Sequence, residues 1–207
     1  MRDSADHPAE RLLQVAQDLL AEEGLEALTL RHIARRAGVS HGAPLRHFRG
    51  RADLLSEVAA RGFALLSEAL EKSAAPLPPG AGAGERLRAG ARAYVECAVS
   101  RPALFELMFR PELLDAENAR YREHATGAFE QLLARVRAAQ LEGWHPDRDT
   151  RLLAGAAWSA VHGLASLWVQ GAFRGPVPGV SLDRAIDTVL DLLGGAPPAG
   201  PAPGGDS

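Results

Sequence analysis

A single cysteine, Cys97, stands among the 207 residues, so neither an internal disulfide framework nor a multi-thiolate zinc site can be built, and the chain suits a reducing compartment. Lysine is almost absent, which leaves arginine to carry the positive charge. No run of about 18 apolar residues occurs and no basic-then-apolar leader opens the sequence, so neither a membrane span nor secretion is expected, and the cytoplasm is the expected location. Also missing are a glycine-rich phosphate loop, a Gly-x-Ser-x-Gly elbow, a His-Glu-x-x-His helix and a carboxylate pair in an apolar setting. No catalytic residue, metal ligand or cofactor is therefore assigned, and an enzyme is the weaker reading. The formal net charge of −3 does not decide about nucleic acid, because a phosphate backbone responds to local charge and not to the total.

Helical periodicity is what remains. Apolar residues recur three and four apart from Pro8 onward, no alternating run is long enough for a strand, and 46% hydrophobic residues suffice for a core, so the fold is expected to be all-α. The first helix starts at Pro8 and ends at Gly24; Thr29 caps a second through Ile33 and Ala34 that Gly38 stops; Ser40 caps a short third reaching Phe48. A fourth runs from Arg51 to Lys72, and the Pro/Gly-rich segment 76–84 connects it onward. Further helices are expected over about 85–100, after Pro102, over about 113–142 with a break near its start, over about 149–171 and over about 181–193. The expected organisation is an N-terminal three-helix domain (1–50), a C-terminal helical bundle (51–193) and a Gly/Pro/Ala tail (194–207) too poor in apolar surface to order.

Residues Leu30 to Phe48 have the layout of a helix-turn-helix, with the turn at Gly38-Val39-Ser40 and a small core from Ile33, Ala34, Val39 and Phe48. Between Thr29 and Arg51 lie Arg31, Arg35, Arg36, Arg46, Arg49 and Arg51 and no acidic residue. Acids cluster instead at Asp18, Glu22, Glu23 and Glu26, so the segment presents either a face for phosphate or an ordinary solvated arginine surface.

The stretch "IARRAGVS", the following "HGAPLRHF" and the restart at Arg51-Ala52-Asp53-Leu54-Leu55 together resemble the DNA-binding domain of the tetracycline-repressor (TetR/AcrR) family. The resemblance implies a dimeric, ligand-responsive DNA-binding regulator, usually a repressor. It places Ser40, His41, Gly42 and Ala43 near base edges in the major groove, and Thr29, His47 and Arg51 at phosphates. Arg31 belongs to the same basic face, and Arg46 either adds a phosphate contact or packs on the first helix. Leu45 stands where the family usually has a phosphate-contacting tyrosine, and Pro44 lies inside the recognition element, tolerable near its start where amides lack intrahelical partners.

In the C-terminal half, Trp158 and His162 are four apart with Gly163 next, and this W-x-x-x-H-G pattern, with "SRPALFELMF", resembles a C-terminal domain type of a subset of the same family. Tyr94, Phe105, Met108, Phe109, Phe129, Trp158 and His162 are either ordinary core or the lining of a cavity for a small, largely apolar effector. His162 either bonds a ligand or satisfies a buried neighbour. By resemblance the last two helices pair with those of a second copy. Leu152, Leu153, Ala156, Ser159, Ala160 and Gly163 would supply one surface. Leu182, Ile186, Val189, Leu190 and Leu193 form a further stripe, which either joins the dimer or buries within one subunit. The partners so implied are double-stranded operator DNA, an effector and a second copy, with no membrane. A nucleoid-type protein that binds DNA without an effector is the alternative.

Overall fold

A computed structural model describes residues 8–194. Eight α-helices and three short 3₁₀ turns make up the regular structure among them, as the periodicity predicts. Pro8 opens α1 (Pro8–Glu23), which buries Leu12, Leu13, Ala16, Leu19 and Leu20 and ends at Gly24 with φ 81°. After a 3₁₀ turn at Leu25–Ala27, the Thr29 hydroxyl accepts a hydrogen bond from His32 N at 3.2 Å and caps α2 (Leu30–Arg36). Gly38, at φ 68°, reverses the chain as expected.

The third helix of the head departs from expectation. Instead of an α-helix capped by Ser40, residues 38–47 form turns around a 3₁₀ segment, Pro44–Arg46, with Ala43 at its N-cap and no side-chain cap. Pro44 is the cause. It has no N–H to return to the Ser40 carbonyl, so that oxygen takes the tighter bond from Ala43 N at 2.9 Å, and the ring fixes the backbone for the turn that follows. Pro44 itself is buried, and Ser40 spends no side-chain bond on the turn.

Helix α3 (Arg51–Lys72) matches the predicted limits and joins the head to the rest. Its first turns bury Leu54, Leu55, Val58 and Ala59 in one continuous cluster with α1 and Ile33, and its remainder packs along α6. α4 (Ala83–Ser100) begins two residues before the expected start, because Glu85 Oε2 and Glu142 Oε2 accept from the Gly82 and Ala83 amides at 2.9 and 2.5 Å. α5 (Pro102–Met108) crosses α3 where Gly62 is buried: a Cβ there would stand 2.6 Å from Met108 Sδ. The break expected near the start of the 113–142 helix falls after a 3₁₀ turn at Pro111–Leu113, and the regular helix, α6, runs from Ala119 to Leu141. Asn118, buried at the N-cap, fixes that start by accepting from Tyr121 N at 2.9 Å.

α7 (Thr150–Val169) is capped by Asp149 and lies against α4, α6 and α8 (Leu182–Gly194). By length and composition α7 is apolar enough to cross a membrane, although Ser159, His162 and Ser166 interrupt its apolar run, and the core helix of a soluble protein meets the same description. The α8 stripe turns largely inward: Ile186 and Leu190 are buried, and Leu182, Val189 and Leu193, half-buried, pack on the same core. Three ion pairs add to that hold, Arg88 to Asp191 (2.8 Å) and Arg92 to Asp183 (2.7 Å) and Asp187 (2.5 Å). Nearly all of the proposed tail lies outside the described residues.

Candidate nucleic-acid interface and effector cavity

At the head, Thr29, Arg31, Ser40, His41, Gly42, Leu45, Arg46 and His47 are exposed, and Ala43 is half-buried. Leu45, with 59% of its surface open, is the one large apolar side chain so displayed on the recognition turn. The six arginines are not equally free. Arg36 pairs with Glu22 (2.6 Å) and Glu23 (3.3 Å), and Arg49 with Asp53 (3.2 Å) and Asp115 (2.8 Å). Arg51 is half-buried and donates from Nε to the Leu28 carbonyl at 2.6 Å. Arg31, Arg35 and Arg46 have no carboxylate within 4 Å among the described residues. Two of the six arginines are thus neutralised by acids from α1, α3 and the loop before α6, and the open positive charge is narrower than the composition implies.

Behind the head, α3, α4, α5, α6, α7 and α8 line a half-open cavity of about 700 Å³. Six of the seven predicted residues, Tyr94, Met108, Phe109, Phe129, Trp158 and His162, line it. Phe105 does not. It stands behind the wall, its ring 5.1 Å from that of Phe109 and 5.2 Å from that of His162, and holds both in place. The polar part of the wall is compact. Trp158 Nε1 donates to the Tyr94 hydroxyl at 3.2 Å, and that hydroxyl lies 2.8 Å from His162 Nδ1. An indole N–H can only donate, so the Tyr94 oxygen accepts from it and the phenolic proton is available to His162.

Burial lowers the His162 pKa below the ordinary 6.5 and raises that of Tyr94, the latter against the contrary pull of the Trp158 bond. Both groups are therefore neutral near pH 7, and the cluster is a neutral hydrogen-bonding station in an apolar wall.

Two segments of the sequence match family models: residues 12–58 match "Bacterial regulatory proteins, tetR family", and residues 87–193 match "Tetracyclin repressor-like, C-terminal domain". The chain belongs to the tetR family. Among solved structures, this tetR-family protein is similar to one of unknown function from Rhodococcus sp. RHA1. The identity is 30%, the TM-score 0.79, and the match covers 93% of this chain and 96% of that one. It shares its fold with the fatty acid degradation regulator FadR from Bacillus halodurans (17% identity, TM-score 0.71, 93% and 97% covered). The same holds for AibR, solved in complex with isovaleryl coenzyme A and operator DNA (17% identity, TM-score 0.66, 91% and 98% covered). No curated protein matches the sequence significantly.

Several wall residues of the tetR-family chain lie in segments whose sequence marks no site. Phe63 on α3, Tyr121 and Arg135 on α6 and Trp144 after it reach the cavity from elements read only as core or connection. Position within the helical repeat would have marked Phe63 as inward-facing, but nothing local marks Arg135. Tyr121 matters for the link to the head. Its amide is bound by Asn118, whose own amide donates to Asp53 Oδ1 and Glu57 Oε1, both at 2.9 Å, while Arg49 beside the recognition turn pairs with Asp115 and Asp53. Burial alone would raise the Asp53 pKa; bonds from the Arg49 backbone, Asn118 and the Arg49 side chain outweigh it and hold the carboxyl low.

Proposed function

We propose that this tetR-family regulator is a dimeric, cytoplasmic repressor, released from its operator by a small, largely apolar effector. The cavity carries the reading: about 700 Å³ of apolar space with one hydrogen-bonding station, walled partly by α3, the helix that also packs on the head. Space of this size and lining is what drug-sized ligands occupy. The complex of AibR with isovaleryl coenzyme A and operator DNA supports it at the level of fold.

In this reading His41, Gly42 and Ala43 approach base edges, with Ser40 beside them and Leu45 available to a thymine methyl group. Thr29, whose hydroxyl hydrogen is free while its oxygen caps α2, contacts phosphate with Arg31, Arg46, His47 and Arg51. Arg51 keeps N–H groups beyond the one given to Leu28. A second copy joins through the outer face of α7, where Leu152, Ala156, Ser159 and Leu167 are exposed, and holds two heads about 34 Å apart to meet successive turns of one duplex face. An effector that fits only a dimer with differently spaced heads then lowers DNA affinity by linkage.

Selection of duplexes from a random pool with the purified chain tests the operator reading. An inverted repeat with half-sites about one helical turn apart is expected; enrichment of no sequence at low salt would falsify it.

A further inference from the structure

The charges around the cavity do not balance. Two ionic side chains reach its wall, Arg88 from α4 and Arg135 from α6, and no aspartate or glutamate does among the described residues. Arg88 is answered by Asp191 at 2.8 Å. Arg135 has no carboxylate oxygen within 4 Å among the described residues. Its guanidinium is steered by two backbone carbonyls instead, Nη2 donating to Leu70 O near the end of α3 and Nη1 to Arg86 O at 3.3 Å. A guanidinium has five N–H groups, so these two bonds fix its plane and leave donors over.

The position is shaped for it. Gly90 of α4 is buried, and a Cβ there would lie 3.4 Å from Arg135 Nη1 and 3.6 Å from both Cδ and Cζ, so the guanidinium rests against bare α4 backbone. Burial and the neighbouring Arg86 pull its pKa down, only partly opposed by Glu71, but an arginine stays charged in a protein. A half-buried cation beside an apolar wall is unfavourable until an anion joins it, and a planar fork with free donors suits a carboxylate.

We infer that Arg135 anchors the acid group of the effector, which is a carboxylic acid with a mostly apolar body. Among the described residues only one cation of the wall is uncompensated, which matches a single negative charge. At about 30 Å³ per water-sized atom, the cavity holds on the order of 20 non-hydrogen atoms. The body extends from Arg135 past Gly90 toward Tyr94, one helical turn further along α4, and ends among Met108, Phe109 and Trp158. This assignment rests on the reading of the cavity as an effector site.

Trp144 and Trp158 line the cavity, so intrinsic fluorescence reports occupancy by three probes of equal chain length: decanoic acid, decan-1-ol and decylamine. At pH 7 the acid should bind at least ten-fold more tightly than the alcohol, and the amine more weakly than either. Arg135→Gln should bring the acid within about three-fold of the alcohol by weakening the acid far more than the alcohol, and Arg135→Lys should keep most of the preference. Retained alcohol binding shows that the variant is folded; if it is not, the three-probe comparison on the parent protein decides. Acid and alcohol binding alike in the parent, or a preference that survives Arg135→Gln, overturns the acid anchor and leaves the cavity reading standing. No response to any of the three overturns both.

Discussion

The Tyr94 hydroxyl does two jobs with one oxygen, receiving the Trp158 N–H and meeting His162 Nδ1. Half of that arrangement was visible in the sequence, since Trp158 and His162 four apart must share a helix face. The other half was not: Tyr94 is 64 and 68 residues away from them, and no local pattern pairs residues across two packed helices. Protonation of His162 is the lever this cluster offers. Burial holds its folded pKa below the ordinary 6.5, so as pH falls below about 6.5 the unfolded chain takes up the proton first, and stability declines until the folded pKa is passed. Above about 6.5 the residue contributes no slope. His162→Gln, which keeps a partner for Tyr94, should flatten the fall of Tm between pH 7 and pH 5. Equal slopes in parent and variant would show that other groups cause it.

Among the elements, those with caps and stops written locally were legible. α1 with Pro8 and Gly24, α2 with Thr29, and α3 with its full span all lie where the sequence puts them. The form of the recognition turn and the residue at which α6 begins are not legible in that way, and the reasons differ. At Pro44 the missing donor is plain in the sequence, but the sequence does not tell whether a proline so near the start is absorbed by an α-helix or tightens it into a 3₁₀ turn. At Asn118 the start is set by tertiary partners, Asp53 and Glu57, which α3 supplies. Asn118→Ala therefore removes a cap worth about 1 kcal/mol and two part-buried hydrogen bonds to carboxylates. Water reaches both carboxylates, so each bond contributes about 0.5–1.5 kcal/mol. A total loss of about 2–4 kcal/mol is expected in urea unfolding, read as a lower midpoint at unchanged m-value. A loss below about 1 kcal/mol would mean that the α3–α6 junction does not depend on this side chain. The same variant also tests coupling, because Asn118 touches both the helix that walls the cavity and the helix that carries the head. It should weaken the effector's influence on DNA binding more than it weakens DNA binding itself.

At the scale of the whole molecule, pairing depends on which apolar faces the subunit leaves open. The stripe of α8 is turned largely inward, but along α7 Leu152 is 75% exposed and Leu167 46% exposed, with Ala156 and Ser159 exposed between them on the same side. Small residues flanked by leucines allow two helices to approach closely, and a lone subunit has no partner for them among the described residues. Leu152→Asp separates folding from pairing. At a position so open in the subunit, a surface substitution shifts stability by about 0.5 kcal/mol or less. In the centre of a paired interface the same carboxylate is desolvated next to its own copy and opposes association. The variant should unfold at a Tm close to the parent's yet sediment as a monomer at micromolar concentration. DNA affinity should then fall about 10²- to 10⁴-fold, because the second head no longer benefits from the high effective concentration that the first creates. A monomeric variant with undiminished affinity would mean that one head is enough, and the spacing argument for effector control would go with it. A variant that remains dimeric would move the interface off α7 and leave its open leucines to some other partner.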